Sequence, residues 1–430
     1  MTTDIFPDVM QSLQFAPQPG VVVDSPPGAG KSTLVVRAAR HIAETGEPLA
    51  IVAQTNEQVD DLIANLARSS PQLPIGRLSA QGYVPVPRIS VNNNVTVDNA
   101  VAGLAGCAVV IGTAAKWSTL KDGNWPWAIV DEAYQMRSDA LLQIAGRFDR
   151  TLFVGDPGQL DPFSTVETER WAGLSWDPQL SAVAVLLRHN PETPVFRLPV
   201  SWRLPATAAP VVSEAFYPFT GFTSGTSLAD RSLSFSTTAF GSHPLDTTLQ
   251  TAAATGWALH ELPARHSMRT DDEVARACAD LALRLLARGP VAFSEKSPAG
   301  AEVTADRIAI GTAHRDQAAA VRHHLPADSG ITVDTANRLQ GREYDVTIVW
   351  HPLSGRRDAT AFHLEAGRLC VLTSRHRHAC IAVARAGITE LLDAHPSTGR
   401  VYLNEIVKFP DGWEANQAVM SHLEQHRVPA

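Results

Sequence analysis

The chain has 430 residues, enough for two or three domains that each bury a core of their own. Its apolar fraction of 44% and charged fraction of 19% are those of a globular protein. The net charge of −8 excludes a protein that coats nucleic acid by bulk attraction, but it leaves room for a local groove that contacts phosphates.

Neither a membrane span nor a targeting leader is indicated. No apolar run approaches the roughly 18 residues that a span requires, and the first residues, MTTDIFPDV, are acidic and mixed. We therefore expect a cytoplasmic protein. The four cysteines form no C-x-x-C pair, which argues against a disulfide framework or a zinc ribbon. Cys370, His376, His378 and Cys380 are close in sequence, but they fall in a segment that reads as a buried strand, so a metal site there is not favoured.

Short apolar strands alternate with helical stretches in the first half of the chain. Strands are predicted at GVVVDS, LAIVAQT, AVVIGT, WAIVDEA and TLFVGD, and helices are predicted over 31–44 and 56–67. This alternation predicts a parallel sheet with helical crossovers. The stretch from 69 to about 99 is rich in Pro, Asn and Ser, and we expect it to be irregular.

The same alternation returns after about residue 195. Strands are predicted at WALHELP, RIAIGT, ITVDT, DVTIVW and CIAVA, with helices over 272–288 and 316–325. A segment rich in Ser, Thr and Gly, 219–255, is predicted to be a long loop or arm. The economical interpretation is an α/β protein of two domains, 1–195 and 196–430, with a cleft between them.

The stretch VVVDSPPGAGKSTLVV has the pattern of a phosphate-binding loop between a strand and a helix. Glycines let backbone N–H groups turn toward phosphates, Lys31 supplies a positive charge, and Ser32 is suited to bind Mg²⁺. Ser25 stands where the usual pattern has glycine, which the loop tolerates unless φ there is positive. The predicted nucleotide-binding residues of the loop are Pro27, Gly28, Ala29, Gly30, Lys31, Ser32 and Thr33.

Two further strands end in polar residues that suit phosphate chemistry. WAIVDEAYQM places Asp131 and Glu132 at the carboxyl end of an apolar strand, where ligands bind in parallel sheets. Asp131 is predicted to bind Mg²⁺, and Glu132 to polarise the attacking water. FVGDPGQLDPF places Gln159 after the next strand, where it can bind a γ-phosphate.

Seven stretches, in chain order, resemble the motifs of the superfamily 1 helicases: SPPGAGKS, DEAYQ, GDPGQLDP, SWRLP, IGTAHRDQ, TANRLQGREYD and VLTSRHRH. The resemblance runs through most of the chain. DEAYQ and QGREYD are most similar to superfamily 1B, the branch of the RNA-surveillance helicase and related bacterial and phage DNA helicases. The resemblance implies two RecA-like P-loop domains with an ATP cleft between them. No large insertion is visible, which implies a near-minimal helicase core.

The resemblance also implies roles for individual residues. Arg203 in SWRLP and Arg375 in TSRHR would approach the γ-phosphate of ATP from the second domain, because a planar guanidinium stabilises charge on the transferred phosphoryl group. Glu343 would accept a hydrogen bond from the ribose, and Gln340 and Gly341 would couple the nucleotide state to the nucleic-acid strand.

Five residues that follow strands would contact the nucleic-acid backbone without base preference. They are Thr55, Asn56, Thr113, Thr312 and Thr335. The alternative is that these residues only make local hydrogen bonds at strand ends. Trp117, Trp125, Trp127 and Trp202 are candidates for base stacking, although core packing is the simpler interpretation.

We therefore predict an ATP- and Mg²⁺-dependent motor on single-stranded nucleic acid, a 5′→3′ DNA helicase of superfamily 1B that has replication or repair proteins as potential partners. One alternative is an ATPase switch or loader that binds nucleic acid without unwinding it. The other is a P-loop NTPase that acts on protein or a small molecule. The adenine-contacting glutamine expected before the phosphate loop is not evident, since the spacing of Gln11 and Gln14 fits poorly.

Overall fold

A computed structural model gives the fold. It describes residues 4–121, 123–160, 162, 171, 174, 177, 180–238, 243–394 and 411–430. The chain forms two compact units. The first contains residues up to Pro26, Gly30–Pro157 and Asp161–Leu198; the second contains Pro27–Ala29, Gly158–Leu160 and Pro199–Ala430. Among the described residues, no helix has both the length and the apolar character needed to cross a membrane.

The first unit is built on a sheet of eight strands. They are β1 (Gly20–Asp24), β2 (Leu49–Ala53), β3 (Ile75–Leu78), β4 (Val95–Asp98), β5 (Val109–Thr113), β6 (Trp125–Asp131), β7 (Phe148–Gly155) and β8 (Val195–Arg197). Their order in the sheet is β4-β3-β5-β2-β6-β7-β1-β8, and every neighbouring pair is parallel. Each residue of β1 and β2 is buried, as continuous apolar strands require when helices cover both faces of a sheet.

Seven helices are described in the first unit. They are α1 (Phe6–Phe15), α2 (Lys31–Ala43), α3 (Asn56–Ser69), α4 (Pro87–Ser90), α5 (Ala114–Ser118), α6 (Ser138–Ile144) and α7 (Ala182–His189). α3 shows how the sequence specifies them. Thr55 accepts a hydrogen bond from the Gln58 N–H group in a capping box, and Val59, Ile63 and Leu66 bury one face of the helix.

The prediction of an irregular stretch over 69–99 is wrong in part. β3 and β4 pair in parallel at one edge of the sheet, and the short helix α4 lies between them in the chain. The strands are only four residues long, and β4 is not fully buried. Short strands set among Pro and Asn turns give too little hydrophobic alternation to be recognised from sequence.

The second unit contains a parallel sheet of six strands and two smaller sheets. Its strands are β9 (Val200–Ser201), β10 (Thr223–Ser224), β11 (Ser232–Phe235), β12 (Trp257–Leu262), β13 (Pro290–Ser294), β14 (Ser297–Glu302), β15 (Ile308–Thr312), β16 (Thr332–Thr335), β17 (Tyr344–Trp350), β18 (His376–Arg385) and β19 (Arg427–Pro429). The main sheet has the order β16-β15-β17-β18-β12-β19, and β18 is buried along its whole length. β9 pairs with β10, and β11, β13 and β14 form an antiparallel sheet in that order.

Nine helices are described in the second unit. They are α8 (Ala209–Phe216), α9 (Pro244–Thr255), α10 (Asp272–Ala287), α11 (Arg315–His323), α12 (Ala336–Leu339), α13 (Ala361–Leu364), α14 (Ala366–Thr373), α15 (Ile388–Ala394) and α16 (Gly412–Glu424). α10 begins where the Asp271 carboxylate accepts the N–H groups of Glu273 and Val274, which satisfies two of the free donors at the helix start.

The segment 219–255 is not simply a loop or arm, so that prediction needs correction. Its described residues include the strands β10 and β11 and the helix α9, while 239–242 lie outside the described residues. α9 starts with proline at its first turn, buries Leu249 and Ala252, and ends at Gly256, whose φ is 81°. Threonine-rich composition suggested a loop, but tertiary burial of this apolar face outweighs low helix propensity.

Candidate nucleotide and nucleic-acid site

The phosphate loop follows β1 and leads directly into α2. Gly30 is the residue before the helix and has a φ of 94°, a conformation that residues with a side chain rarely adopt. Ser25 is not among the residues with positive φ, and its N–H donates to the Gly155 carbonyl at 2.8 Å. The serine that replaces the first loop glycine is therefore accommodated without backbone strain.

The tip of the loop, Pro27–Ala29, is grouped with the second unit. The Ser201 hydroxyl donates to the Pro27 carbonyl at 2.6 Å, and the Trp202 N–H donates to the Gly28 carbonyl at 2.9 Å. Gly28 has a φ of 72°, and a Cβ atom there would lie 2.2 Å from the Cβ of Arg203. Glycine at position 28 is thus required twice, by the backbone conformation and by this close approach.

Lys31, at the start of α2, lies beside the two carboxylates that end β6. Its ammonium group forms an ion pair with Glu132 and lies 3.9 Å from Asp131. Burial opposes the charge on Lys31, yet the two carboxylates outweigh it and raise the pKa of this lysine. Burial raises the pKa of Asp131 to about 6, with Lys31 opposing the shift. The predicted lysine and carboxylates are thus brought together in one place.

Glu132 is held in an unusual conformation. Its φ of 53° makes it the one residue other than glycine with positive φ among the described residues. A 3-10 turn, Ala133–Gln135, follows immediately, and the Gln135 N–H donates to the Glu132 carbonyl at 2.9 Å. Strained backbone of this kind persists only where its surroundings enforce it, and it is frequent at catalytic positions.

Tyr134 anchors this turn, and sequence reasoning did not single it out. Its hydroxyl donates to the Asp24 carboxylate at 2.6 Å, and Asp24 is the residue before Ser25. Burial raises the pKa of Asp24, although the Tyr134 hydrogen bond and the charge of Arg197, 3.9 Å away, oppose the shift. The Tyr134 ring also packs against Gly155 at the end of β7.

The second unit gathers a cluster of charges around Glu343. The carboxylate of Glu343 pairs with Arg203 at 3.3 Å and with Arg377 at 3.3 Å, and Arg203 also donates to the Gly341 carbonyl at 3.5 Å. Burial would raise the pKa of Glu343, but the two guanidinium groups lower it. Gln340 donates to the side chain of Gln159 at 2.9 Å, so these two predicted residues also meet.

The structure does not support Arg375 as the second phosphate-contacting arginine. Its side chain is 1% exposed, its Nε donates to the Val371 carbonyl at 3.1 Å, and one Nη donates to the Ser374 hydroxyl at 2.9 Å. Arg377, the second residue of β18, pairs instead with Glu343, as Arg203 does. Arg375 precedes β18, and its guanidinium is held by the Val371 carbonyl and the Ser374 hydroxyl, so an offset of two residues in the motif register selects a different arginine. The order S-R-H-R, which departs from the family pattern, was the available signal.

The oxygen donors that would hold Mg²⁺ are present in the first unit. Ser32 is exposed in the first turn of α2, and the Asp131 carboxylate ends β6. Hard oxygen ligands fit Mg²⁺, which completes its coordination with phosphate oxygens and water. Among the described residues there is no group of three or more His, Cys, Asp or Glu side chains that could hold a metal alone, the Cys370–Cys380 stretch included.

Three of the predicted nucleic-acid contacts lie in the first unit. Thr55 and Asn56 are exposed after β2, and Thr113 is partly exposed after β5. Each also makes a local hydrogen bond: Thr55 and Thr113 accept N–H groups of the helices they cap, and Asn56 accepts from Arg77 at 3.1 Å. All three side chains are therefore accessible to solvent, although each already makes a local hydrogen bond.

In the second unit the Thr312 prediction needs correction. Thr312 is 0% exposed, and its hydroxyl donates to the His314 carbonyl at 3.0 Å, so a ligand cannot reach it. Thr335 ends β16 and is 7% exposed. The tryptophans divide in the same way, since Trp117 and Trp125 belong to the core, whereas Trp202 is 52% exposed.

A glycine loop between a parallel strand and a helix, with a lysine facing two strand-end carboxylates, is the arrangement with which P-loop NTPases bind phosphate. Residues 180–387 match the family model described as an AAA domain. No curated protein matches the sequence.

Among solved structures, the chain is similar to the PRRSV helicase, with 14% identity over 89% of this chain and 56% of that one and a TM-score of 0.46. It is similar to arterivirus nonstructural protein 10, a helicase, in complex with DNA, with 13% identity over 86% of this chain and 63% of that one and a TM-score of 0.45. The E. coli DExH-box NTPase HrpB has 12% identity over 92% of this chain and 42% of its own, with a TM-score of 0.43. This chain spans less than two thirds of the length of each.

Both units have the parallel sheets and the helices of the predicted α/β fold. The resemblance to superfamily 1 helicases rests on the seven motif stretches of the sequence. The assignment to branch 1B and the roles of individual residues stay predictions.

Proposed function

We propose that this chain is an ATP-driven motor on single-stranded nucleic acid, a DNA helicase that moves 5′→3′. The observation that carries the proposal is the cluster of Lys31, Asp131 and Glu132 at the carboxyl end of a parallel sheet. A half-buried lysine held beside two buried carboxylates is not explained by stability, since enclosed ion pairs contribute little net free energy of folding. It is, however, the arrangement that phosphoryl transfer to water requires.

Each residue of the cluster has a distinct part in ATP hydrolysis. Lys31 leaves Glu132 when ATP binds and neutralises charge on the β- and γ-phosphates. Glu132, once released, accepts a proton from the attacking water. Mg²⁺ held by Ser32 and Asp131 would neutralise phosphate charge in the same place. Gln159 hydrogen-bonds the γ-phosphate and so distinguishes ATP from ADP.

Two arginines complete the proposed chemistry. Arg203 and Arg377 are paired with Glu343 in the structure, which keeps both guanidinium groups near one point of the second unit. They supply positive charge to the phosphoryl group as it is transferred, a contribution that has most effect in the transition state. Gln340 and Gly341 adjoin Arg203 and link this chemistry to the strand-binding segment that follows β16.

The nucleic acid is bound through its backbone. Thr55, Asn56 and Thr113 are accessible at the carboxyl ends of parallel strands, where hydroxyls, amides and backbone N–H groups can meet phosphates. Thr335 occupies the corresponding place in the second unit. Such contacts read no base edges, so binding should fall steeply with salt and vary little with sequence. DNA as the strand and the 5′→3′ direction rest on the motif forms DEAYQ and QGREYD.

ATP turnover measured with single-stranded DNA, single-stranded RNA, duplex DNA and no nucleic acid tests the motor. We expect stimulation by single-stranded DNA above all, and loss of turnover in Lys31→Ala. Stimulation without strand displacement would favour a switch or loader, and turnover indifferent to nucleic acid would favour an NTPase that acts on protein or a small molecule. Strand displacement on 5′-tailed and 3′-tailed duplexes then tests direction. Preference for the 3′ tail would refute the 1B assignment alone.

A further inference from the structure

The antiparallel sheet formed by β11, β13 and β14 contributes two charged residues to the cluster around Glu343. Arg231 immediately precedes β11, and Glu295 follows β13 in the turn to β14. Nothing in the sequence marked either residue, because both lie outside the seven motif stretches. Their side chains nevertheless contact the segments that carry Arg203 and Arg377.

The Arg231 guanidinium donates to three backbone carbonyls as well as to a side chain. It donates to the Trp202 carbonyl at 2.7 Å, to the Arg203 carbonyl, and to the Arg377 carbonyl at 3.4 Å. Its side chain is 1% exposed. One buried guanidinium therefore ties together the two chain segments, 201–203 and 375–377, that present the phosphate-contacting arginines.

Glu295 fixes the other side of the same arrangement. Its two carboxylate oxygens accept from Arg231 in a two-point pair at 2.8 and 3.0 Å, and one of them also accepts from Arg377 at 3.1 Å. The hydrogen bonds from Arg231 and the charges of Arg231 and Arg377 lower the pKa of Glu295 to about 2, despite partial burial. The Glu295 carboxylate thus carries the negative charge that pairs with both arginines.

We propose that Arg231 and Glu295 are positioning residues for ATP hydrolysis, which hold Arg203 and Arg377 in the orientation that meets the transferred phosphoryl group. This inference rests on the proposed function. A free arginine has many rotamers, and ordering it during the reaction costs free energy that prior hydrogen bonding removes. Arg231 fixes the backbone under both arginines, and Glu295 fixes the direction of the Arg377 guanidinium. The small antiparallel sheet thereby has a role in catalysis.

The structure offers a matched control for this proposal. Glu273, in the first turn of α10, also bridges two arginines, Arg265 at 2.8 Å and Arg385 at 2.5 Å. It lies in the same unit but touches none of the proposed ATP-site residues. Glu273→Gln and Glu295→Gln therefore make the same chemical change to the same kind of pair, and only the second should affect positioning.

The test measures kcat and KM for ATP, together with the thermal midpoint, in the full chain. We expect Glu295→Gln to lower kcat about tenfold or more while KM stays within about threefold, because the contact acts in the transition state. Glu273→Gln should leave kcat unchanged. In an Arg377→Ala background, Glu295→Gln should lower kcat by much less than in the wild type, because the residue it positions is gone. Arg231→Lys, which keeps the charge but not the planar fork, should also lower kcat.

Three outcomes would overturn the inference. They are unchanged kcat in Glu295→Gln, equal losses in the two Glu→Gln variants, and effects of Glu295→Gln and Arg377→Ala that simply multiply. If these occur while the wild type hydrolyses ATP, the proposed function stands and only the positioning role falls. A wild-type chain without ATP turnover would overturn both.

Discussion

Replacing Glu132 by glutamine should separate ATP binding from ATP hydrolysis. The change removes the proton acceptor but keeps the size of the side chain, so the turn after β6 is not disturbed. It also removes the carboxylate that pairs with Lys31, whose side chain is 18% exposed beside a glutamate side chain that is 8% exposed. Both effects follow from the replacement of one carboxylate oxygen by an amide nitrogen. ATP turnover should fall, whereas the affinity for ATP should rise.

The magnitudes follow from the burial of the pair. A positioned general base contributes about 10²–10⁴ to a rate, so kcat should fall by at least about a hundredfold. A hydrogen bond to a charged group contributes about 1.5–3 kcal/mol, and loss of the charge on one partner removes about half of this. The amide oxygen of the variant can still accept from Lys31, but ATP then competes with a weaker bond. Since about 1.4 kcal/mol is a factor of ten, the Kd for ATP should decrease by up to about tenfold.

Equilibrium binding of a fluorescent ATP analogue and single-turnover hydrolysis measure the two quantities independently. Glu132→Asp is a useful comparison, because it keeps the charge while retracting the carboxylate from Lys31. Near-normal turnover in Glu132→Gln would refute the catalytic role of Glu132. Lost turnover with an unchanged Kd would show that the Lys31–Glu132 pair does not oppose nucleotide binding.

Four further predictions follow from the site. Tyr134→Phe should lower kcat about tenfold with little change in KM, because the turn after Glu132 loses its anchor. Tyr83→Phe is the control, since it also removes a tyrosine–aspartate hydrogen bond, the one of 2.9 Å to Asp60. Equal losses of kcat in the two variants would contradict the reasoning. Protonation of Asp131 as the pH falls through about 6 should compete with the binding of Mg²⁺. The Mg²⁺ concentration for half-maximal turnover should therefore rise about tenfold from pH 7 to pH 5. A Mg²⁺ concentration that stays constant over this range would exclude Asp131 as a ligand. Trp202→Ala should raise several-fold the concentration of single-stranded DNA that gives half-maximal stimulation of ATP turnover, because the exposed ring is a candidate for base stacking; an unchanged concentration would remove this role. Arg377→Ala should reduce kcat about 10³-fold, whereas Arg375→Ala should reduce it far less, although both changes should lower the thermal midpoint because both side chains are buried; the reverse order of the kcat losses would restore the original arginine assignment.

Long, strongly apolar elements were predictable from sequence because their burial leaves a regular pattern. The strands that carry the site, β1, β6 and β17, are continuous apolar runs flanked by glycine, proline or charged residues. The phosphate loop was equally predictable, since its spacing is fixed by the geometry of a strand, a turn of glycines and a helix. These elements depend on residues that are neighbours in the chain.

What could not be predicted depends on partners distant in sequence. Arg375 and Arg377 differ by two positions, and only the packing of β18 against its neighbours shows that one is enclosed and the other reaches Glu343. Thr312 resembles Thr113 in its sequence context, yet only one of the two is accessible. The helix α9 has few apolar residues, and its burial is determined by β12, which follows it in the chain.

The close packing of Gly155 against Tyr134 limits how the sequence of this site can change. A Cβ atom at position 155 would lie 2.9 Å from the Tyr134 ring and 3.0 Å from the Ala133 backbone nitrogen. Any larger residue there would displace the turn that follows Glu132. A smaller side chain at position 134 would relieve only the contact with the ring, because the contact with the backbone would remain. Substitutions at the two positions therefore have different consequences: a change at 134 removes the hydrogen bond to Asp24 but leaves room for the turn, whereas a side chain at 155 meets backbone whichever residue stands at 134. A library that randomises both positions together should return glycine at 155 in every active variant, and residues other than tyrosine at 134 only in variants with reduced turnover.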